Sequence, residues 1–278
     1  MIPAILSGFC VSAIYNITHY PDSFMQAQQL PASAGWQWIK QAWNLFRQQP
    51  LAIMSLFIIF VFSLLLLAML PFIGPLLYGV LMQGLSAGFL IACKQVENKE
   101  LVVPMTLIAG FRANNKRAAK PLLVLGACYF VSALAVLALT ILVDDGTLMQ
   151  VFRGEKVSED AFYSAQVTSA MLIAASGHVL VTAIFWYAPA LVIWHELTPM
   201  KAVFFSVVTV WRNKAAFLVY GLILSGIALF LQLVMSVVFD LVDMPLLEGF
   251  LTFPLLATYA SVIYCSVYTS YRCTITTT

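Results

Sequence analysis

The chain has 278 residues, of which 62% are hydrophobic and only 9% are charged, and its formal net charge is +2. A soluble domain carries about 25% charged residues, and a water-exposed surface could not absorb this much apolar material. The composition therefore excludes a soluble globular protein, and the small net charge predicts no nucleic-acid partner.

The first 24 residues are a separate, mildly apolar segment. They lack the positively charged start and the small-residue cleavage site of a secretory signal. We interpret residues 1–24 as an unstructured or surface-lying leader, or as sequence upstream of a true start at Met25. A seventh span is the alternative, but Pro21-Asp22 argues against it.

Six apolar runs predict membrane-spanning helices, because about 20 apolar residues at 1.5 Å rise cross a hydrocarbon core of about 30 Å. The runs lie near residues 51–70, 75–93, 122–143, 167–194, 215–239 and 246–271. Proline and glycine between Pro71 and Pro75 predict a tight turn between the first two. We therefore predict an all-α polytopic membrane helical bundle, with residues 25–278 forming one domain of six transmembrane helices in three hairpins.

The loops between these runs alternate in charge. All but Arg153 and Lys156 of the 14 lysines and arginines lie before the first run, after the sixth, or in the two loops on that same side. The loops on the opposite side carry eight of the 12 acidic residues. The positive-inside rule then predicts that the N- and C-termini are both cytoplasmic.

An amphipathic stripe precedes the first span. Four apolar residues recur at spacings of three, four and three, which places them on one face of a helix. They are Trp36, Ile39, Trp43 and Phe46, and Arg47 follows them directly.

An aromatic residue followed by arginine occurs again before the other two predicted hairpins. We therefore predict that a cytoplasmic amphipathic helix precedes each hairpin, with its aromatic face in the acyl region and its arginine near phosphates. The alternative is that these helices only brace the bundle. The candidates for contact with lipid or the membrane interface are Trp36, Trp43, Phe46, Arg47, Phe111, Arg112, Trp211 and Arg212.

Several stretches resemble a proteobacterial family of uncharacterised six-span inner-membrane proteins. They are Gly35–Trp38, Leu45–Leu51, Leu70–Pro75, Tyr187–Val192, His195, Trp211–Asn213 and Tyr220-Gly221. The resemblance covers Met25 to the C-terminus and implies a bacterial inner (plasma) membrane location without an established activity. That family is distantly similar to the membrane domain of glycerophosphodiester phosphodiesterases, whose soluble catalytic domain has no counterpart here.

Few polar residues interrupt the predicted spans, and such residues are functional candidates because lipid makes them costly. His178 in the fourth span is interpreted as a neutral imidazole bonded to a neighbouring helix; a proton relay is the alternative, but no acid lies within the core of a span. Gln83 and Gln232 are expected to form interhelical hydrogen bonds contributing about 1 kcal/mol each. Pro189 removes one helical hydrogen bond and predicts a kink in the fourth span.

Small residues in the second span form a GxxxG step from Gly84 to Gly88. This pattern lets helices approach closely, either inside one chain or between two copies. The sequence leaves both uses open.

Motifs of catalysis and metal binding are absent from the sequence. His195-Glu196 is not part of an HExxH motif, the five cysteines form no CxxC, and there is no phosphate-binding or nucleophile-elbow motif. We therefore predict no enzyme activity, catalytic residue, metal or cofactor, and we expect the cysteines to be reduced thiols.

The predicted function is that of a non-enzymatic scaffold or lipid-interacting protein. Its expected partners are membrane lipids and either a second copy of the chain or another envelope protein. The alternative is a transporter of a lipid or weakly polar small molecule, because Pro189 and His178 share one span.

Overall fold

A computed structural model describes residues 25–70, 73–155, 157–242 and 245–277. The predicted leader, residues 1–24, lies outside them. The helices are α1 (Ala34–Phe46), α2 (Pro50–Ala68), α3 (Ile73–Glu97), α4 (Ala109–Arg112), α5 (Ala119–Asp144), α6 (Thr147–Phe152), α7 (Glu159–Phe162), α8 (Ala165–Phe185), α9 (Ala188–His195), α10 (Pro199–Arg212), α11 (Lys214–Val242) and α12 (Pro245–Thr274). A 3₁₀ helix, Pro104–Ile108, runs into α4, and the strands β1 (Met25–Ala27) and β2 (Ile275–Thr277) pair.

Among the described residues, six stretches of helix are long and apolar enough to cross a membrane. They are Pro50–Leu67, Ile73–Glu97, Ala119–Asp144, Ala165–His195, Lys214–Phe239 and Leu251–Thr274. Helices are expected in such runs because a backbone in hydrocarbon must satisfy its own hydrogen bonds. The prediction of an all-α polytopic helical bundle with six spans is confirmed, with the three-residue β1–β2 pair as a small addition.

The fourth span is interrupted beside Pro189. The helix α8 ends at Phe185, and Pro189 lies in the first turn of α9, where its missing N–H costs no helical hydrogen bond. At the break, the backbone N–H of Tyr187 donates to Ser206 Oγ at 3.0 Å. The sequence-based prediction of a kink is realised as two consecutive helices.

The chain divides into two compact units. Unit 1 comprises the described residues up to Phe62, then Gly88–Ala109, then those from Val208 onward. Unit 2 comprises Ser63–Ala87 and Gly110–Val207.

In unit 1, α1 packs against α11 and α12. The strands β1 and β2 pair antiparallel, with Gln26 opposite Thr276. The core of this unit includes four aromatic rings in stacked, tilted and edge-on contacts, and the Phe89 and Tyr264 centroids are 4.4 Å apart. The other two rings belong to Phe57 and Phe60.

In unit 2, α5 packs along α8, and both contact α6 and α9. A methyl carbon placed on Gly126 of α5 would collide with the backbone of Val80 on α3, so these two helices are in backbone contact. The acidic segment after Asp144, predicted only as a loop, contains the short helices α6 and α7.

The GxxxG step of α3 is used for packing inside the chain. A methyl carbon on Gly84 would collide with the ring of Phe111, and one on Gly88 would collide with the backbone of Leu107. The second aromatic-arginine segment therefore lies directly on this glycine surface. That segment is a 3₁₀ helix followed by the four-residue α4, so it is shorter than α1 and α10.

Candidate functional site

The helix α1 has one buried face and one exposed face. Trp38 is 1% exposed and Ala42 is fully buried, whereas Trp36 is 52% exposed and Trp43 is 44% exposed. Exposed Lys40 lies between the two exposed tryptophans.

The orientation of α1 about its own axis divides the predicted stripe between these two faces. Ile39 and Phe46 are buried, while Trp36 and Trp43 remain on the surface. Phe46 was predicted to face lipid, but the structure buries it and stacks its ring on Trp43, with the centroids 5.7 Å apart. The difference arises because α1 has an apolar face broad enough to be buried along one edge and exposed along the other.

Contacts with α11 fix this rotation of α1. A methyl carbon on Gly35 would collide with the carbonyl oxygen of Ala216 and the backbone of Tyr220, so α1 lies directly on the α11 backbone. The Trp38 ring meets Phe217 edge-on at 5.2 Å and Tyr220 at 6.0 Å between centroids. Sequence reasoning missed Trp38, because its partners lie almost 180 residues away.

The exposed face of α1 ends in a cation held by its own helix. Arg47 is exposed, and its Nη2 donates to Asn44 Oδ1 at 2.8 Å. We define the α1 face as Trp36, Lys40, Trp43 and Arg47, which follow one another at spacings of four, three and four.

The helix α10 presents the same spacing of exposed residues. Four residues follow one another at spacings of four, three and four, from Met200, which is 74% exposed, to Trp211, which is 70% exposed. They are Met200, Phe204, Val207 and Trp211, and with the exposed cations Lys201, Arg212 and Lys214 they form what we define as the α10 face. The Lys214 ammonium lies 4.9 Å from the centre of the Trp211 ring, within the range of a cation–π contact.

The second aromatic-arginine pair differs from the other two. Phe111 is partly buried against Gly84, and Arg112 is exposed. This segment therefore leaves its arginine, but not its aromatic ring, fully at the surface.

A cavity of about 290 Å³ lies in unit 2 beside His178. Its lining residues are Tyr129, Ala133, Val136, Leu137, Thr140, Ile141, Asp144, Leu148, Met149, Ala174, His178 and Val181. His178 is otherwise exposed, whereas Thr140 and Asp144 are 3% and 4% exposed. The polar part of this cavity is therefore supplied mainly by the C-terminal end of α5.

Asp144, the last residue of α5, is held by the start of α6. Its Oδ1 accepts a hydrogen bond from the Gly146 N–H at 3.1 Å, and its Oδ2 accepts one from the Leu148 N–H at 2.6 Å. Sequence reasoning placed this residue in a loop and missed its burial. The signal was an aspartate two residues before a glycine at the end of an apolar run, a pattern typical of a turn closed by the carboxylate.

The remaining intramembrane candidates have different environments. Gln83 on α3 is 5% exposed, and Pro189 on α9 is buried. Gln232 lies at an exposed position of α11, so it is not enclosed between helices of this chain as the interhelical interpretation expected.

An ion pair that the sequence analysis did not identify joins α3 to α12 in unit 1. The Arg272 guanidinium contacts the Glu97 carboxylate, and the Tyr268 hydroxyl donates to the same carboxylate. Both charged side chains are about one-third exposed, at 33% and 28%. These contacts link α3 to α12, and we call them the α3–α12 clamp.

Two buried cysteines meet in unit 1. The Cys93 and Cys265 sulfurs are 3.7 Å apart, and both are free thiols. Within the described residues, no group of three or more histidine, cysteine or acidic side chains could hold a metal ion.

Comparison with known proteins finds a relative in sequence but no structural match. No family model matches the chain, and no solved structure matches it. A Burkholderia thailandensis protein, named as a probable inner membrane protein, is 37% identical over 251 residues, which cover 89% of this chain and 93% of that protein. Nothing in this match links the chain to glycerophosphodiester phosphodiesterases. With its six apolar helices, the chain belongs to the same family of bacterial inner membrane proteins as this relative.

Proposed function

We propose that this protein is a non-enzymatic inner membrane protein that binds anionic lipid headgroups through the α1 and α10 faces. One observation carries the proposal: both helices expose residues at spacings of four, three and four along one side, and on each helix an exposed tryptophan lies close to exposed cations. The other side of α1 is fixed against α11 and α12. The exposed tryptophans are therefore not needed to fill the core.

The side chains of these faces suit the boundary between headgroups and acyl chains. Tryptophan has an apolar ring with one polar N–H and is enriched at that depth. Lysine and arginine next to an anionic leaflet contribute about 1 kcal/mol each. The α1 face has Lys40 and Arg47, so its attraction amounts to about 2 kcal/mol, and the three cations of the α10 face would contribute about 3 kcal/mol.

The proposal places both faces and both termini in the cytoplasm. The charge asymmetry of the loops supports this orientation, because the opposite loops are acidic. A reporter that is active only in the cytoplasm, fused to the C-terminus, should be active. An inactive C-terminal reporter together with an active one in the segment after Asp144 would reverse the orientation and refute the cytoplasmic placement.

Lipid retention tests the headgroup site directly. The protein with Lys40→Gln and Arg47→Gln, purified in mild detergent, should retain several-fold less phosphatidylglycerol and cardiolipin relative to phosphatidylethanolamine than the unaltered chain. The matched control is Arg153→Gln, which removes an exposed cation from the acidic segment instead. The proposal would be contradicted if Arg153→Gln lost as much anionic lipid as the double variant. It would also be contradicted if the double variant had normal thermal stability and retained all of its anionic lipid.

A scaffold role would use the same exposed faces to hold a protein instead of a lipid. In that case Trp36→Ala and Trp43→Ala would release a co-purifying envelope protein while lipid retention stayed constant. That result would show that the α1 face binds a protein and not a lipid.

Transport of a lipid or weakly polar molecule is the alternative function. It relies on His178 and on the helix break at Pro189 in the fourth span. Vesicle uptake and lipid-flip assays that give equal rates for the unaltered protein and His178→Ala would remove the role proposed for this residue.

A further inference from the structure

We propose that the cavity in unit 2 binds a single-chain amphiphilic amine, with the alkyl chain lying between α5 and α8 and the ammonium group directed at Asp144. This site is separate from the α1 and α10 faces. Amine binding in the cavity therefore does not depend on headgroup binding at the α1 and α10 faces.

The shape of the cavity favours one extended chain. Its lining on α5 runs from Tyr129 to Asp144, a separation of 15 residues, or about 22 Å at 1.5 Å per residue. A cavity that extends along a helix in this way suits an extended alkyl chain better than a fused ring system.

The volume also limits the size of the ligand. A water-sized group takes about 30 Å³, and a methylene group is of similar size, so the cavity holds about ten of them. This value lies at the lower end of the range for small-molecule pockets, about 300 to 1,000 Å³. We therefore expect a chain of about ten carbons.

Apolar side chains form most of the middle of the cavity, with His178 of α8 as the polar exception. They include Ala133, Val136 and Leu137 of α5 and Ala174 and Val181 of α8. An apolar chain would gain contacts with these groups, whereas a polar chain would lose its hydrogen bonds to water without replacement.

The polar groups at the C-terminal end of α5 are hydrogen-bond acceptors. A carboxylate has about four acceptor positions, and the backbone N–H groups of Gly146 and Leu148 occupy two at Asp144. The Thr140 hydroxyl donates to the Leu137 carbonyl at 2.7 Å, which leaves its oxygen free to accept. Because the two residues are four apart on one helix, both lie on the same side of α5.

Charge complementarity identifies the headgroup of the ligand. The residues of the described chain that line the cavity include one carboxylate and neither lysine nor arginine. The segment from Asp144 to Ala165 carries five acids, Asp144 among them, against Arg153 and Lys156, so its net charge is negative. An ammonium group supplies both the positive charge and the donors that Asp144 and Thr140 can accept.

A binding assay with three probes of equal length tests this inference. Decylamine, which is protonated at pH 7, should bind the full-length protein in nanodiscs saturably and at least about tenfold more tightly than decanol. Decanoate should bind more weakly still. Asp144→Asn keeps an oxygen that can accept from α6 and should abolish the preference for the amine.

Two further variants separate the site from partition into lipid. Ala174→Phe fills the cavity and should remove saturable binding of all three probes, whereas Leu229→Phe, at an exposed position in unit 1, should not change it. Thr140→Val should weaken amine binding even if Asp144→Asn fails to fold. Decanoate binding as tight as decylamine, or a linear response unchanged in Ala174→Phe, would overturn the proposal.

Discussion

Two tryptophans on α1, only two residues apart, should respond very differently to truncation. Trp38 is 1% exposed and lies against Phe217 and Tyr220, whereas Trp36 is 52% exposed. We expect Trp38→Ala to destabilise the protein strongly and Trp36→Ala to leave its stability unchanged.

The magnitude follows from what each side chain buries. A fully buried tryptophan covers about 150 to 250 Å², which at about 25 cal/mol per Å² amounts to about 4 to 6 kcal/mol. The indole N–H of Trp38 lacks a hydrogen-bond partner among the described residues, and such a buried donor costs about 1 to 3 kcal/mol. The expected loss in free energy of unfolding is therefore about 3 kcal/mol, at the lower end of the usual range for such truncations.

Unfolding in mixed micelles measures this difference. Titration with sodium dodecyl sulfate, followed by circular dichroism, should show a large loss for Trp38→Ala and a change within about 0.5 kcal/mol for Trp36→Ala. Trp38→Phe keeps an aromatic ring against Phe217 and removes the unpaired donor, so it should lose less than Trp38→Ala. Equal losses for Trp36→Ala and Trp38→Ala would refute the orientation of α1.

Three further substitutions test other contacts by the same unfolding measurement. Asn213→Ala removes a buried amide that accepts from the Leu30 N–H and donates to two carbonyls. At about 1 kcal/mol per hydrogen bond, the substitution should lower the free energy of unfolding by about 3 kcal/mol. Unchanged protease resistance near residues 28–30 would count against this role of Asn213. Glu97→Gln should cost about 1 kcal/mol, because its ion pair with Arg272 is partly exposed; a double-mutant cycle showing no coupling would contradict the clamp. Gly88→Leu should cost at least about 1 to 3 kcal/mol through overpacking, while Gly221→Leu, with open space around it, should be tolerated; equal effects would remove the close contact at Gly88.

The apolar runs were sufficient to predict the spanning helices. Residues 51–70 become Pro50–Ala68, and residues 215–239 become Lys214–Val242. This agreement has a physical cause, since hydrocarbon leaves few alternatives to a helix for a run of about 20 apolar residues. Pro189 likewise predicted a kink in the fourth span, and the structure has a break between α8 and α9 there.

The rotation of α1 could not be predicted in the same way. Its apolar residues cover more than half of the helix circumference, so periodicity alone does not separate Trp38 from Trp36. That choice depends on the backbone contact of Gly35 with α11, which is distant in sequence. Asp144 was missed for a related reason, because its burial depends on α6, a helix without a strong periodic signal.

The docking of α1 on the last two long helices has a consequence for biosynthesis. About 170 residues separate the end of α1 from the start of α11, and a ribosome adding about 5 to 20 residues per second needs about 8 to 34 s to make them. Throughout that interval Trp38 and its neighbours lack their final partners, and the bilayer surface is the nearest apolar phase available to them. The exposed tryptophans and cations of α1 would hold the helix at that surface, so its final docking becomes a closing step after the sixth span is inserted.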